Sequence, residues 1–329
     1  MPSKLVCVTG GTGYLASKLI ETLLEKGYRV RTTVRSLNNH SKIASLQALT
    51  SKGDLSLFEA DLLSKGSFKE AIDGCECVFH TASPVITRKL DDPQKQLIEP
   101  AIEGTRNIIN ESIKSDSVTT IVLTSSVAAV KNQQKPEDYV FSEKDWNDES
   151  SQEISPYALS KTLAEKEAWK LVEGSRVRLV AINPSFIIGP SVGVHPESES
   201  VTRFINILDG SYSESGASPP EFCTVDIKDV VKAHIQAFEN PKASGRYIIS
   251  SEQSTSVSDW TKILTNDPEF AEYPLPTRFA EGKSRKLRLN PDKAKKELGI
   301  QLTPLNESLI EVAKFLAQSG VIKKSRERL

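Results

Sequence analysis

Three runs in this chain hold residues of a type and spacing that could do chemistry. The first is Thr9-Gly10-Gly11-Thr12-Gly13-Tyr14-Leu15-Ala16. Between a strand and a helix, Gly10 permits a tight turn, Gly13 lets the backbone approach a pyrophosphate, and Ala16 permits close helix–sheet packing. The helix start then offers free N–H groups and a positive dipole end to phosphate oxygens. The alternative is a mere tight turn. The second run is Val34-Arg35-Ser36, with Lys42 following. NAD-binding folds place Asp or Glu there to hold the ribose 2′-OH. Arg35 would instead pair bidentately with a 2′-phosphate and stack on adenine, which points to NADP(H). The alternative is an ordinary solvated charge. The third run is Tyr157-x-x-x-Lys161, with Thr124-Ser125-Ser126 upstream. One helical turn puts Tyr157 and Lys161 on one face. Tyr14-x-x-x-Lys18 has the same spacing and reads as helix surface or core, so Tyr14→Phe is expected to change little.

These runs need elements to hold them. Leu5–Thr9, Arg29–Val34, Leu55–Glu59, Cys77–His80, Thr120–Thr124 and Arg178–Ile182 read as strands. Several are apolar without alternation, as parallel strands buried on both faces are. Between them, Tyr14–Glu25, Lys42–Leu49, Ser67–Ile72, Leu97–Ile113 and Pro156–Val172 read as helices. This rhythm implies an α/β fold with a doubly wound parallel sheet and right-handed crossovers. Ligands sit at the carboxyl ends of such strands, so the hydroxyls of Thr124-Ser125-Ser126 would face a cofactor.

After Gly189-Pro190 the rhythm breaks. Residues 191–222 are rich in Ser, Pro, Glu and Gly and read as irregular, with one short helix near Val201–Leu208. Asp226–Glu239 reads as helix, Arg246–Ile249 as strand, and Val257–Leu264, Pro291–Leu298 and Leu305–Gln318 as helices. The expected organisation is a nucleotide-binding domain over 1–190, to which the chain returns at about 224–250. A smaller, mainly helical substrate lobe is formed by 191–223 and 251–329. The basic tail at 323–328 reads as a solvated end.

Composition excludes several classes. With 42 Lys+Arg against 43 Asp+Glu, nothing suggests a nucleic-acid partner or a polybasic membrane surface. No apolar run reaches the 18 or so residues of a membrane span, and no signal peptide is apparent, so a cytoplasmic location is expected. Four cysteines in a chain this long do not make a disulfide framework. Cys75-x-Cys77 with His80 could suggest a metal. The run reads instead as a buried strand with both thiols on one face and no second ligand pair, so no metal is expected.

The Gly-rich turn, Thr-Ser-Ser, Tyr-x-x-x-Lys and Asn183-Pro184-Ser185-Phe186-Ile187-Ile188-Gly189-Pro190 occur in that order. In these the chain resembles an extended short-chain dehydrogenase/reductase with a Rossmann sheet. More narrowly it resembles the dihydroflavonol reductase, cinnamoyl-CoA reductase and aldehyde/ketone reductase group. Val78–Pro84, Ser160–Glu165, Val225–Val230 and Glu239–Tyr247 carry the same resemblance, which runs from Leu5 to about Ser251. It implies that Tyr157 is a proton donor. Lys161 would stabilise its phenolate and hold the nicotinamide ribose hydroxyls, and Ser126 would hydrogen-bond the substrate carbonyl. The cofactor would contact Gly10, Thr12, Gly13, Tyr14 and Leu15 at the turn. It would contact Asp61 and Leu62 at the adenine, Thr81, Ala82 and Ser83 beside it, and Pro184 and Ile187 at the nicotinamide. Arg35 and Lys42 would bind the 2′-phosphate.

The chain also departs from the group. Lys131 stands five residues after Ser126, where the flavonol-type enzymes carry Asn. Ile154-Ser155-Pro156-Tyr157-Ala158-Leu159-Ser160-Lys161 replaces the Asn-Trp-Tyr-Cys-Tyr-Gly-Lys of the cinnamoyl-CoA enzymes. Val127–Val130 resembles the general aldehyde and ketone reductases. The expectation is an NADPH-dependent carbonyl reductase with a small-molecule substrate, as monomer or homodimer. Val127, Lys131 and Phe186 are its candidate substrate residues. The alternatives are an NAD-dependent nucleotide-sugar epimerase or dehydratase, and a non-catalytic NADP sensor. His195 reads as an exposed loop histidine. Phe204 and Phe222 read as core or pocket wall, and Trp146, Trp169 and Trp260 carry no assigned role.

Overall fold

The computed structural model describes residues 4–84, 90–132, 134–212, 221–279 and 285–324. Seven strands form the main sheet: β1 (Leu5–Val8), β2 (Arg29–Val34), β3 (Leu55–Glu59), β4 (Cys77–His80), β5 (Thr120–Thr124), β6 (Arg178–Pro184) and β7 (Gly245–Ile249). Their order is β3-β2-β1-β4-β5-β6-β7 and each neighbouring pair is parallel. The order reverses between β1 and β4, where open α/β sheets bind ligands beyond their strand ends.

Both faces of the sheet are apolar because both are covered. Val6, Val8, Cys77 and Phe79 face a core shared with α1 (Tyr14–Glu25), α2 (His40–Leu49) and, further along the chain, the helix Ile227–Glu239. Cys7, Val78, Ile121 and Leu123 face the opposite core, which includes Ala71 and Ile72 of α3 (Lys69–Ile72), Ile108 and Ile109 of α4 (Glu99–Lys114), and Ala168 of α5 (Pro156–Val172).

Element ends differ from the sequence reading for local reasons. Asn39 caps α2 by accepting from the Lys42 N–H at 3.3 Å, so that helix starts at His40. A π-helical turn, Gln94–Ile98, precedes α4. The strand begins at Cys77 as read, but Cys75, expected on the same face as Cys77, lies outside it. Cys75 still belongs to the turn after α3, its N–H on the Ile72 carbonyl at 3.0 Å. The two thiols therefore do not share a face: Cys75 packs in one core and Cys77 in the other. Among the described residues no group of three or more His, Cys, Asp or Glu is placed to hold a metal, and no helix is long and apolar enough to cross a membrane.

A separate core lies beyond the strand ends. It gathers α6 (Glu199–Leu208), α8 (Val257–Thr265) and α10 (Leu305–Gln318), with α7 being the sheet helix Ile227–Glu239. Phe186–Ile188 pairs in parallel with Thr224–Asp226 where the chain leaves and re-enters it. Trp260 is fully buried at its centre, its ring 5.5 Å from Phe204 and 5.9 Å from both Phe186 and Phe222. One part of the expected lobe packs elsewhere. α9 (Asp292–Glu297) lies on the sheet, with Ala294, Leu298 and Ile300 in the core under α1. Tyr247 donates to Glu297 at 2.6 Å, and Lys293 donates to the Ser244 and Arg246 carbonyls at 2.8 Å. Of segment 191–222, residues 213–220 lie outside the described residues, as does the tail from 325 onward.

The aromatic centre makes a stability prediction. Trp260→Ala leaves a large void where four rings meet and is expected to cost about 3–5 kcal/mol. Arg35→Ala, on the surface, is expected to stay within about 0.5 kcal/mol. Urea unfolding followed by circular dichroism tests both; equal midpoints for the two variants would disprove the centre's role.

Candidate active site

The Gly-rich turn is shaped by what lies against it. Thr9 follows β1, and its hydroxyl sits 3.1 Å from His80 Nδ1 and accepts the Ala82 N–H at 3.1 Å. Thr81 Oγ1 donates to the Thr9 carbonyl at 2.5 Å. Gly10 has φ of +72°, and a Cβ there would stand 3.0 Å from Ala82 Cβ. Its N–H bonds Thr33 Oγ1 at 3.0 Å, and the Gly11 N–H bonds the Thr33 carbonyl at 2.8 Å. A Cβ on Gly11 would fall 2.2 Å from Thr32 Oγ1. Side chains would fill this cradle. Gly13 precedes α1, whose first N–H groups, on Tyr14, Leu15 and Ala16, have no acceptor within the helix. The cradle and these donors suit a pyrophosphate.

The remaining expected cofactor residues cluster around that cradle, at the carboxyl ends of the strands. Arg35 and Lys42 follow β2; both side chains are exposed and neither has a partner among the described residues. Asp61 follows β3 and accepts the Leu63 N–H at 2.8 Å. Leu62 lies beneath Gly104, where a Cβ would come within 2.8 Å of it. Thr81, Ala82 and Ser83 leave β4 half-buried. Pro184 ends β6 and is buried; Ile187 is half-buried nearby. His80, beneath the turn, is held neutral: burial, aided by the Lys161 charge, pushes it down to about 3.

Ser126, Tyr157 and Lys161 meet where β5 ends. The Ser125 N–H still bonds the Ile182 carbonyl at 2.8 Å. Ser126 then turns the chain, its Oγ accepting the Ala128 N–H at 3.1 Å. Pro156 starts α5, so Tyr157 lies in its first turn. Burial pushes the Tyr157 phenol up, and a side-chain hydrogen bond with Ser126 opposes that rise. One turn on, Lys161 is buried and its Nζ donates to the Thr124 carbonyl at 3.2 Å. Burial lowers its pKa to about 8, against the pull of nearby Glu165.

Sequence reasoning missed the charged network behind these three. Glu165 Oε2 accepts from Ser125 Oγ at 2.5 Å and from Asn183 Nδ2 at 2.9 Å. Its Oε1 accepts from Arg246 Nε at 2.6 Å. Ionisable residues inside a helix and a strand that are otherwise buried were the available signal, since such groups are buried only when paired.

The expected substrate residues are dispersed. Val127 is buried with Val130, Phe141, Cys223, Ile248 and Leu289. Lys131 is exposed just past the turn that Ser126 caps. Phe186 is half-buried, its ring 4.6 Å from Phe222. His195 is not an exposed loop residue: it is buried, its Nε2 3.2 Å from Ser17 Oγ and 3.0 Å from the Val192 carbonyl. Tyr14 also departs from expectation. Its hydroxyl donates to the Gly189 carbonyl at 2.6 Å, and burial together with Asp226 pushes its phenol well above the usual range. α1 thus grips the strand that leads into the second core.

Comparison with known proteins places the chain. Residues 6–250 match the NAD dependent epimerase/dehydratase family. The chain is 40% identical over 322 residues to a cinnamoyl-CoA reductase of Medicago truncatula, covering 95% of this chain and 96% of that one. It is 37% identical over 335 residues to an anthocyanidin reductase of Arabidopsis thaliana, covering 98% and 97%. Among solved structures, yeast methylglyoxal/isovaleraldehyde reductase complexed with NADPH superposes with a TM-score of 0.83 at 27% identity, covering 97% of this chain and 100% of that one.

The Tyr14 bond yields a prediction opposite to the sequence reading. Tyr14→Phe keeps the ring but strands a carbonyl, so unfolding free energy is expected to fall by about 1–3 kcal/mol. Hydrogen exchange at residues 191–195 is expected to quicken. Unchanged stability and exchange would show that the hydroxyl contributes nothing.

Proposed function

The chain belongs to the NAD dependent epimerase/dehydratase family and, within it, to the extended short-chain reductases of the dihydroflavonol and cinnamoyl-CoA reductase type; from that premise we propose that it is an NADPH-dependent carbonyl reductase acting on aldehydes and ketones. The observation that carries the reading is Tyr157 in the first turn of α5 beside Ser126, with a buried lysine one turn away whose Nζ donates to the Thr124 carbonyl at the end of β5. When bound, the dihydronicotinamide supplies a hydride to the carbonyl carbon. The Tyr157 hydroxyl gives its proton to the carbonyl oxygen, so ketone or aldehyde becomes alcohol. Ser126 donates to that same oxygen and positions it. An isolated phenol, with pKa near 10, is a poor acid at pH 7. Lys161 in its charged form stabilises the phenolate that remains and so raises the phenol's acidity.

In this reading the N–H groups of the turn hold the pyrophosphate, with Gly10, Thr12, Gly13, Tyr14 and Leu15 against it. Arg35 and Lys42 hold the 2′-phosphate, Asp61 and Leu62 flank the adenine, and Thr81–Ser83 lie alongside. Lys161 holds the nicotinamide ribose, and Pro184 and Ile187 contact the nicotinamide. The second core, with Phe186 at its edge, forms the substrate side, and Val127 and Lys131 bear on substrate choice. That the Arg35 and Lys42 side chains are exposed and have no partner among the described residues supports the phosphate assignment.

Tyr157→Phe removes the donor and keeps the ring. It is expected to fold, retain NADPH binding and lose about 10²–10⁴ in turnover. NADPH absorbance with saturating aldehyde measures this, and near wild-type turnover refutes the assignment.

Cofactor choice makes an independent prediction. A charge-assisted hydrogen bond contributes about 1.5–3 kcal/mol. Arg35→Ala is therefore expected to weaken NADPH about 10–100-fold and leave NADH nearly unchanged. Titrating both cofactors into both proteins tests this. Equal losses would reduce Arg35 to shaping the adenosine site, and a wild type that prefers NADH would favour the epimerase reading.

A further inference from the structure

Glu165 has no part in the reduction as described, yet three of its four side-chain partners, Ser125, Asn183 and Arg246, lead to the residues that do. It lies one turn past Lys161 on α5, and its side chain has no exposed surface. Ser125, which donates to it at 2.5 Å, stands between Thr124, whose carbonyl accepts from Lys161, and Ser126. Asn183, which donates to it at 2.9 Å, also donates to the Ser126 carbonyl at 3.2 Å. Arg246, which donates to it at 2.6 Å, also donates at 3.2 Å to the Ala129 carbonyl, at the end of the turn that Ser126 caps. Beyond Ser125 the strand has left its ladder, and side-chain bonds, together with the Asn147 N–H on the Ala129 carbonyl at 3.0 Å, tie it to the rest of the fold.

We propose that Glu165 is a positioning residue of the reduction: through Ser125, Asn183 and Arg246 it fixes the strand end that presents Ser126 and the carbonyl that orients Lys161. This rests on the reading of Ser126, Tyr157 and Lys161 given above. The same carboxylate acts on Lys161 through space. The groups facing that ammonium are Glu165 and Tyr157 on α5, the Thr124 carbonyl on β5, and His80 on β4, which burial keeps neutral. Arg246, from β7, spends its charge on Glu165. Glu165 is thus the anion that opposes the loss of the lysine's proton.

Two variants separate positioning from packing. Ser125→Ala keeps the Glu165–Arg246 pair and cuts one link to the strand end. Its kcat is expected to fall about 10–100-fold, the loss that small misplacements in an active site cause, with the NADPH dissociation constant holding. Glu165→Gln removes the anion, so the alkaline limb of kcat is expected to move to lower pH: burial then depresses Lys161 unopposed, and activity requires its charged form. Both are measured with NADPH and a simple aldehyde from pH 6 to 10, beside thermal unfolding. Should Glu165→Gln fail to fold, Ser125→Ala alone decides. Wild-type kcat in folded Ser125→Ala, or a Glu165→Gln that is less stable but keeps the wild-type limb, overturns the proposal. Tyr157→Phe run alongside keeps the two readings apart. If it is inactive while both variants behave as wild type, only the role of Glu165 falls. If it is active, the reduction mechanism itself falls.

Discussion

A carboxylate and a guanidinium with almost no access to water hold the chemical end of this molecule together. Removing such ions from water costs several kcal/mol each even after relaxation, and only full hydrogen bonding offsets it. Glu165 and Arg246 meet that condition. Besides Ser125, Asn183 and Arg246, Glu165 takes the Trp169 indole N–H at 3.3 Å. Arg246 gives its remaining donors to the carbonyls of Ala129, Glu143 and Asp145 and lies 3.8 Å from the Trp146 ring centre. The pair therefore joins α5, the ends of β5 and β6, the edge strand β7 and the segment before Asn147. α5 carries Tyr157 and Lys161, and it cannot slide on the sheet without leaving a charge unpaired, a loss of about 3–5 kcal/mol.

The same dry environment sets the protonation states around it. Lys161 comes down to about 8, and His80 and His234 to about 3 and about 4, all chiefly through burial. Both histidines are neutral spacers. His234 Nδ1 lies 2.8 Å from the Val230 carbonyl, and Nε2 lies 2.7 Å from Thr124 Oγ1, which steadies the residue whose carbonyl Lys161 uses. Burial thus brings the lysine at the end of β5 down towards neutrality, the range in which an acid–base group is useful.

Much of this was legible in the sequence. The strands read themselves out because parallel strands covered on both faces are apolar throughout, and β1 to β5 fall within a residue of expectation. The Gly-rich turn and Tyr157-x-x-x-Lys161 were legible because each needs particular residues at fixed spacing. What stayed hidden depends on long-range partners. Glu165 and Arg246 are 81 residues apart, and nothing local to either names the other as its partner. His195 looked exposed because it lies in a segment that reads as irregular, yet Ser17 and Tyr14, far away in sequence, enclose it. Tyr14 looked like ordinary helix for the same reason: its partner carbonyl is 175 residues distant. Cys75 was misplaced because it was read as a continuation of the strand that starts at Cys77, whereas it belongs to the turn after α3, and that turn carries its thiol into the opposite core.

The two halves of the site are built on opposite electrostatic terms. The groups around Tyr157 are buried, mutually bonded and costly to alter one at a time, so they hold one geometry and one set of charges. Arg35 and Lys42 are exposed and have no side-chain partner among the described residues, and a single exposed charge contributes little to folding and is screened by salt. Between them lies the Gly-rich turn, whose backbone donors would meet either nicotinamide cofactor alike, because both carry the pyrophosphate. On the proposed reading the choice of nucleotide would rest on residues that make no packing contact the fold depends on, and the chemistry on residues bound into its interior. On that reading substitutions at 35 and 42 would change cofactor preference with the fold intact, whereas changes at 125, 165, 183 or 246 would act on structure and catalysis together.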